Sequence, residues 1–272
     1  TVVSRVTPRS SPRSSARVSL PITAGRAATG QGNVKSLAMS QPESARPLIA
    51  SGMARQLATF RSALDAGMPR VGWKIGINDP AAQQRLGLGA TLVGWLDGRH
   101  VLPQGPPYRP PAGSKPRIEA EVAVRLASDV PAGADLDDAR AAIAAVAPAI
   151  EFVDAAKPLS PLDALLASDI LHDGVLFGSE LPLAAASGLV AQGFPAVKLN
   201  GAPARNGLPG RYPEDLAEIV AHVANVLAEY GEALEAGDRI ICGSYIDPFD
   251  IVPGDEVVAD FGPLGLIAFR VA

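Results

Sequence analysis

Two long stretches of the chain repeat apolar residues at helical spacing. Over 43–66 these are Leu48, Met53, Leu57, Phe60 and Leu64, with Gly67 as a stop. The clearer one runs from Pro213 to Tyr230, with Leu216, Ile219, Val220, Val223, Val226 and Leu227 on one face and Gly231 at its end. Shorter apolar runs read as strands: Val71–Ile77, Leu92–Leu96, Gly174–Gly178, and Ala196–Leu199 closing in the hairpin signal Asn200-Gly201. Pro80–Leu86 reads as one or two helical turns, and 161–171 as a helix. Asp135–Val146 reads as an Ala-rich helix stopped by Pro148, followed by a short apolar strand over 149–154. Six prolines between 103 and 116 predict a rigid, extended loop. Beyond residue 239, Ile240–Cys242, Phe249–Val252, Glu256–Phe261 and Leu264–Val271 are strand candidates separated by Gly- and Pro-containing turns. Few helices separate these strands, so the pattern predicts a mixed α+β domain on antiparallel sheets.

The strand that organises this pattern is Arg117–Leu126. It alternates strictly, placing Ile118, Ala120, Val122, Val124 and Leu126 on one face and Glu119 and Glu121 together on the other. Those two carboxylates stand roughly 6–7 Å apart along the strand. They repel unless water, a proton or a cation lies between them, so the face is either solvated or a site.

Composition narrows the choice. The 272 residues are 47% hydrophobic and 19% charged, an ordinary globular balance. Cys242 is the sole cysteine, which excludes an internal disulfide and a cysteine-built zinc site and fits a cytoplasmic setting. No apolar run is long enough for a bilayer. Residues 1–38 carry Arg5, Arg9, Arg13, Arg17, Arg26 and Lys35, no acid, and many Ser, Pro and Gly, which predicts a disordered basic leader. Met39 reads as the natural start, leaving 39–272 as a single catalytic domain. That part holds 18 basic against 28 acidic residues, a net charge of about −10, with no basic stripe for nucleic acid. A phosphate-binding glycine loop after a strand is also absent from the sequence, so a dinucleotide has no support.

A third carboxylate changes the reading of the first two. Glu151 sits in the otherwise apolar run 147–153 and is expected to be buried, where it needs a partner or a proton. Were its strand to neighbour Glu119 and Glu121, the three would form a hard oxygen site for Mg²⁺ or Mn²⁺. Gly72-Trp73-Lys74-Ile75-Gly76, Gln83-Gln84-Arg85-Leu86-Gly87, Pro116-Arg117-Ile118-Glu119-Ala120-Glu121, Pro148-Ala149-Ile150-Glu151, Asn200-Gly201 and Ala236-Gly237-Asp238 follow one another in order. Together they resemble the hydratase/decarboxylase branch of the fumarylacetoacetate hydrolase superfamily, the group of 2-keto-4-pentenoate hydratases and 4-oxalocrotonate decarboxylases.

The resemblance implies a mixed β-sandwich or β-roll with flanking helices. It implies divalent-metal ligands at Glu119, Glu121 and Glu151, an active-site lysine at Lys74, and a homo-oligomer acting on a small 2-oxo acid in aromatic catabolism. A metal-chelated 2-oxo acid is stabilised as its enolate, which serves a hydratase first and a decarboxylase second. Several positions depart from the family pattern. The acidic residue expected just before Gly94 is missing, and Asp97 is the candidate that compensates. The run Ala167–Asp173 differs too and brings in His172 as a further catalytic candidate. Ala155-Ala156-Lys157 stands where Ser-Arg is usual, and Tyr212-Pro213 where His-Pro is. Gln84 and Ser244 are the substrate-binding candidates, and His100 and His222 read as surface or helix-packing residues. The lost polar groups also fit a degenerate, non-catalytic partner subunit. A hydrolase cleaving carbon–carbon bonds of acylpyruvates is a closer cousin, but its longer acidic metal set with a downstream Asp-Asp-type segment is not found.

Overall fold

The computed structural model describes residues 41–209 and 215–272. The basic leader, the Met39 start, Tyr212-Pro213 and the proline expected to open the long helix lie outside them. In chain order the helices are α1 (Arg46–Asp65), α2 (Pro80–Leu86), α3 (Leu136–Ala142), α4 (Leu162–Ala167) and α5 (Leu216–Glu229). The strands are β1 (Arg70–Gly76), β2 (Leu92–Asp97), β3 (Pro116–Leu126), β4 (Ile143–Asp154), β5 (His172–Phe177), β6 (Ala196–Leu199), β7 (Ala202–Asn206), β8 (Arg239–Ser244), β9 (Phe249–Asp250), β10 (Glu256–Asp260) and β11 (Leu266–Arg270).

They build two sheets. The larger has the order β2-β1-β8-β3-β4-β5, with β9 also on β3, and the smaller β11-β10-β6-β7. Every pairing is antiparallel except β1 with β8, in keeping with the α+β expectation. The large sheet curls until its ends meet: Val101, just past β2, bridges Val175 of β5, and the Leu102 amide donates to the Val175 carbonyl at 2.8 Å. The curl gives the sheet two unlike faces. Ile118, Ala120, Val122 and Val124 of β3 join Trp73, Ile150 and Phe152 in the main core, together with α1 and α5. The inner face carries a small separate cluster of Leu96, Ala123, Ala149, Val175 and Ile241, all essentially inaccessible. The strict alternation of β3 is what assigns one set of side chains to each side.

The helices settle on this sheet by capping and by their apolar stripes. Asp79 accepts from the Ala81 and Ala82 amides at the start of α2, and Asp135 forms a capping box with Asp138 at α3. His222 of α5 packs on β2 with Nε2 3.1 Å from the Thr91 carbonyl, a helix-packing role as expected. Asn200 and Gly201 both take left-handed φ (52° and 81°) between β6 and β7, as a tight hairpin turn requires.

Three expectations need correction. The Ala-rich segment is helical only to Ala142; from Ile143 onward it is β4, paired with β3 from Leu126↔Ile143 to Pro116↔Asp154. Alanine tolerates either state, and a ladder of this length outweighs its helical preference. Pro148 therefore stops no helix but sits inside a strand. Its carbonyl accepts from Gly178 at 2.8 Å, so its ring nitrogen faces the same side, beyond the last β5 residue, where no donor is needed. Second, the 161–171 helix ends at Ala167, and Asp169, Ile170 and Leu171 follow with φ of 58°, 47° and 67°. Third, the strand expected over 249–252 is only Phe249–Asp250.

Candidate active site

Glu119 and Glu151 are direct partners in the β3–β4 ladder, and Glu121 lies one pleat further along β3 opposite Ala149. One oxygen from each of the three carboxylates lies within 4.8 Å of the others. Glu121 and Glu151 are fully buried and Glu119 is half-buried. The Gly243 amide donates to Glu121 Oε2 at 2.7 Å, whereas Glu121 Oε1 and Glu151 Oε2 are buried with no hydrogen-bond partner. Buried carboxylate oxygens without donors are costly, and two of them within one acidic cluster fit a divalent cation. Burial first, and then the neighbouring Glu151 charge, push the Glu119 carboxyl up to about 7. Burial and the same neighbours raise Glu121 as well.

Glu151 differs because two donors converge on its Oε1. Lys74 of β1, 1% exposed, donates from Nζ to Glu151 Oε1 and, at 3.2 Å, to the Ile170 carbonyl. His172, at the start of β5, places Nδ1 2.7 Å from the same oxygen, and its Nε2 is buried without a partner. Burial alone would raise Glu151, but Lys74 and His172 outweigh it and hold the carboxyl below its usual range. For Lys74, burial is likewise overcome by Glu151, Asp169 and Glu119, and the ammonium is kept charged. Burial lowers His172, leaving a neutral ring. An ionised Glu151 can only accept, so Nδ1 carries the ring hydrogen and Nε2 the lone pair.

The left-handed turn after α4 assembles this side of the site. Each non-glycine residue in that conformation costs about 1–2 kcal/mol, and strain of this kind collects at functional sites. Here it turns the Ile170 carbonyl toward Lys74 and seats Asp169 against β2, where Oδ1 accepts from the Trp95 amide at 2.9 Å. Gly94, paired with Lys74 across β1 and β2, leaves room for both: a Cβ there would lie 2.7 Å from Asp169 Oδ1 and 3.0 Å from Lys74 Cγ.

Of the residues expected from sequence, Lys74, Glu119, Glu121, Glu151 and His172 are brought together. Asp97 is not placed with them. Its carboxylate caps the turn that follows β2 and binds Arg99 at 2.6 and 2.8 Å. It falls three residues past Gly94, so the alternation of β2 points it to the other side. The carboxyl that meets Lys74 over Gly94 is Asp169, which only the departure of the 167–173 run from the family pattern hints at. Gln84 is exposed on α2. Ser244 pairs with Glu121 across β8 and β3, but its hydroxyl is buried and donates to the Ile246 carbonyl at 2.9 Å. Sequence reasoning also passed over Asn78, whose amide lies over Gly243, the residue that binds Glu121.

The chain matches no family model. A 2-hydroxyhexa-2,4-dienoate hydratase from Comamonas testosteroni is 30% identical over 193 residues, covering 68% of this chain and 72% of that one. A 4-oxalocrotonate decarboxylase from Pseudomonas putida is 27% identical over 209 residues, 76% of this chain and 79% of the other. Among solved structures, the 4-oxalocrotonate decarboxylase of Pseudomonas putida G7 with calcium and acetate superposes with a TM-score of 0.74 at 24% identity. It covers 82% of this chain and 86% of that one. The curled sheet, second sheet and flanking helices are thus a shared fold.

Proposed function

The chain belongs to the hydratase/decarboxylase branch of the fumarylacetoacetate hydrolase superfamily, and from that membership we propose that it is a divalent-metal-dependent lyase, a hydratase of a short 2-hydroxy-dienoic acid. The observation that carries this reading is the acidic tripod with two partnerless buried oxygens beside an ion-paired lysine. Glu119, Glu121 and Glu151 are the residues that would hold Mg²⁺ or Mn²⁺, which when bound supplies Lewis-acid stabilisation of negative charge on the substrate 2-oxygen.

The remaining chemistry falls to the chain's own groups. Lys74 spends two N–H bonds on Glu151 and Ile170, and its third is available to the substrate carboxylate. His172 Nε2 takes the proton from the 2-hydroxyl of the dienol as the 2-oxo group forms, and returns it to the fifth carbon, where the diene ends. Water then adds across the remaining double bond: its oxygen bonds to the fourth carbon, and its spare proton passes through Nε2 to the third. Glu151 holds the ring for both transfers by accepting from Nδ1.

A second reading, a 2-oxo acid decarboxylase, is favoured by the likeness to the decarboxylase; there the electron pair left as carbon dioxide departs would pass to the 2-oxygen as an enolate, which would then take a proton from water. A non-catalytic partner subunit is disfavoured by the polar set itself, since an idle protein has no use for a buried Lys74–Glu151–His172 chain. The test is loss of dienol absorbance with Mg²⁺ present, using Glu119→Gln and Glu151→Gln as controls. Activity indifferent to chelator and to both substitutions overturns the proposal.

A further inference from the structure

The cations that the fold shields from water are few, and all but one share a rule. Among the described residues, Arg70, Lys74, Arg125, Lys157 and Arg239 are buried or half-buried. Arg70 pairs with Asp238 and Glu235, Lys74 with Glu151, and Arg125 and Arg239 both with Glu180. Lys157 alone has no carboxylate at ion-pair distance: its ammonium donates to the main-chain carbonyl of His172, and Asp169 acts on it only from farther off. An ammonium has three N–H donors, and a partly desolvated cation satisfied by one neutral acceptor is a poor bargain unless an anion comes to it.

Its position says which anion. Lys157 follows the end of β4 in a turn held by Asp154, whose Oδ1 accepts from the Lys115 and Ala156 amides at 2.8 and 2.9 Å and whose carbonyl accepts from the Lys157 amide at 3.1 Å. His172, whose carbonyl it holds, is the residue that reaches Glu151. The ammonium is therefore one residue removed from the acidic tripod. β4 runs on from Glu151 to Asp154 and the Lys157 turn, whereas Ala149 of β4 and Ala123 of β3, both in the inner cluster, lie the opposite way along the ladder. Those apolar residues close the interior in that direction, so a substrate held at the tripod by its 2-oxo acid end extends its tail toward the Lys157 end. Arg117, on the same strand face as Glu119, is already paired with Asp250 at 2.5 Å, and Lys115 of the same turn is exposed to solvent.

We propose that Lys157 is a specificity-determining residue that receives a second, distal carboxylate, so that the substrate is a 2-oxo or 2-hydroxy-dienoic acid ending in a carboxylate and not in an alkyl group. The assignment rests on the 2-oxo acid reading above and is tested apart from turnover. Calorimetry on the Mg²⁺-loaded protein would compare 2-oxohexanedioate with 2-oxohexanoate, which differ only at the far end. The wild type should bind the diacid at least about tenfold more tightly, Lys157→Met should erase the preference by weakening the diacid alone, and Lys157→Arg should keep most of it. Equal affinity for the two acids in the wild type, or equal weakening of both in Lys157→Met, overturns the assignment. Discrimination between the acids without turnover of any dienol would defeat the lyase reading and leave Lys157 in its role.

Discussion

Glu119 and Glu151 occupy one rung of the β3–β4 ladder, the first half-buried and the second wholly enclosed. Their contributions to cation binding should be unequal. Glu151→Gln removes an anion that also holds Lys74 and His172, and should weaken Mg²⁺ binding by about 100-fold or more, against about tenfold for Glu119→Gln. Calorimetric titration of the two variants checks the order, and a greater loss in Glu119→Gln would reverse it.

Removing the metal should leave a pH-dependent mark on stability. Burial, and next Glu151, lift Glu119 to about 7 and also raise Glu121, from an ordinary value of 4.5. Between those values the metal-free folded chain binds more protons than the unfolded one. The stability that these two carboxyls contribute is therefore fully present below about 4.5, and the share of Glu119 is lost as pH climbs through about 7. Glu151 lies below its usual range and is ionised in both states over most of that window. A bound cation relieves the repulsion, so the rise in Tm on adding Mg²⁺ should grow between about pH 5.5 and about pH 8. Thermal scans with and without chelator measure it, and a rise independent of pH would contradict the assignment.

His172→Asn separates holding from proton transfer. The Asn amide can stand in for Nδ1 and keep its bond to Glu151, while the Nε2 position is lost. Metal affinity should stay within about threefold of wild type while kcat falls about 10²–10⁴-fold. Steady-state kinetics alongside Mg²⁺ titration decide the point: unchanged kcat would remove His172 from the chemistry.

Gly94→Ala tests the packing that seats Asp169 and Lys74 together. The added methyl meets Asp169 Oδ1 at 2.7 Å, and overpacking of this kind costs about 1–3 kcal/mol. Denaturant unfolding should show that loss, with kcat reduced well beyond what the remaining folded fraction explains. A variant as stable and as active as wild type would mean that the turn after α4 moves freely, contrary to its role here.

Much of the site could be read in the chain before folding. Strict alternation placed Glu119 and Glu121 on one face, and an apolar setting marked Glu151 as buried. Lys74 is singled out only by the family resemblance. What escaped depended on long-range pairing or on backbone conformations with no composition signal. The Ala-rich start of β4 looked helical because its partner β3 cannot be seen from within 135–146. Asp169 was hidden in a turn of three left-handed residues, none of them glycine, where glycine is the residue one expects. Asp97 was credited from nearness in sequence to Gly94, but an odd offset along a strand sends a side chain away.

Pro148 performs none of this chemistry, yet it guards the alignment on which the chemistry depends. Its ring nitrogen tolerates the gap beyond β5 and would forfeit a ladder bond if turned toward β3. A slip of β4 by one residue would make that turn and would also carry Glu151 over to the apolar core. The misaligned hairpin would thus be penalised twice during folding, once in the backbone and once by a stranded charge. Proline at this position acts as a proofreading device for strand register.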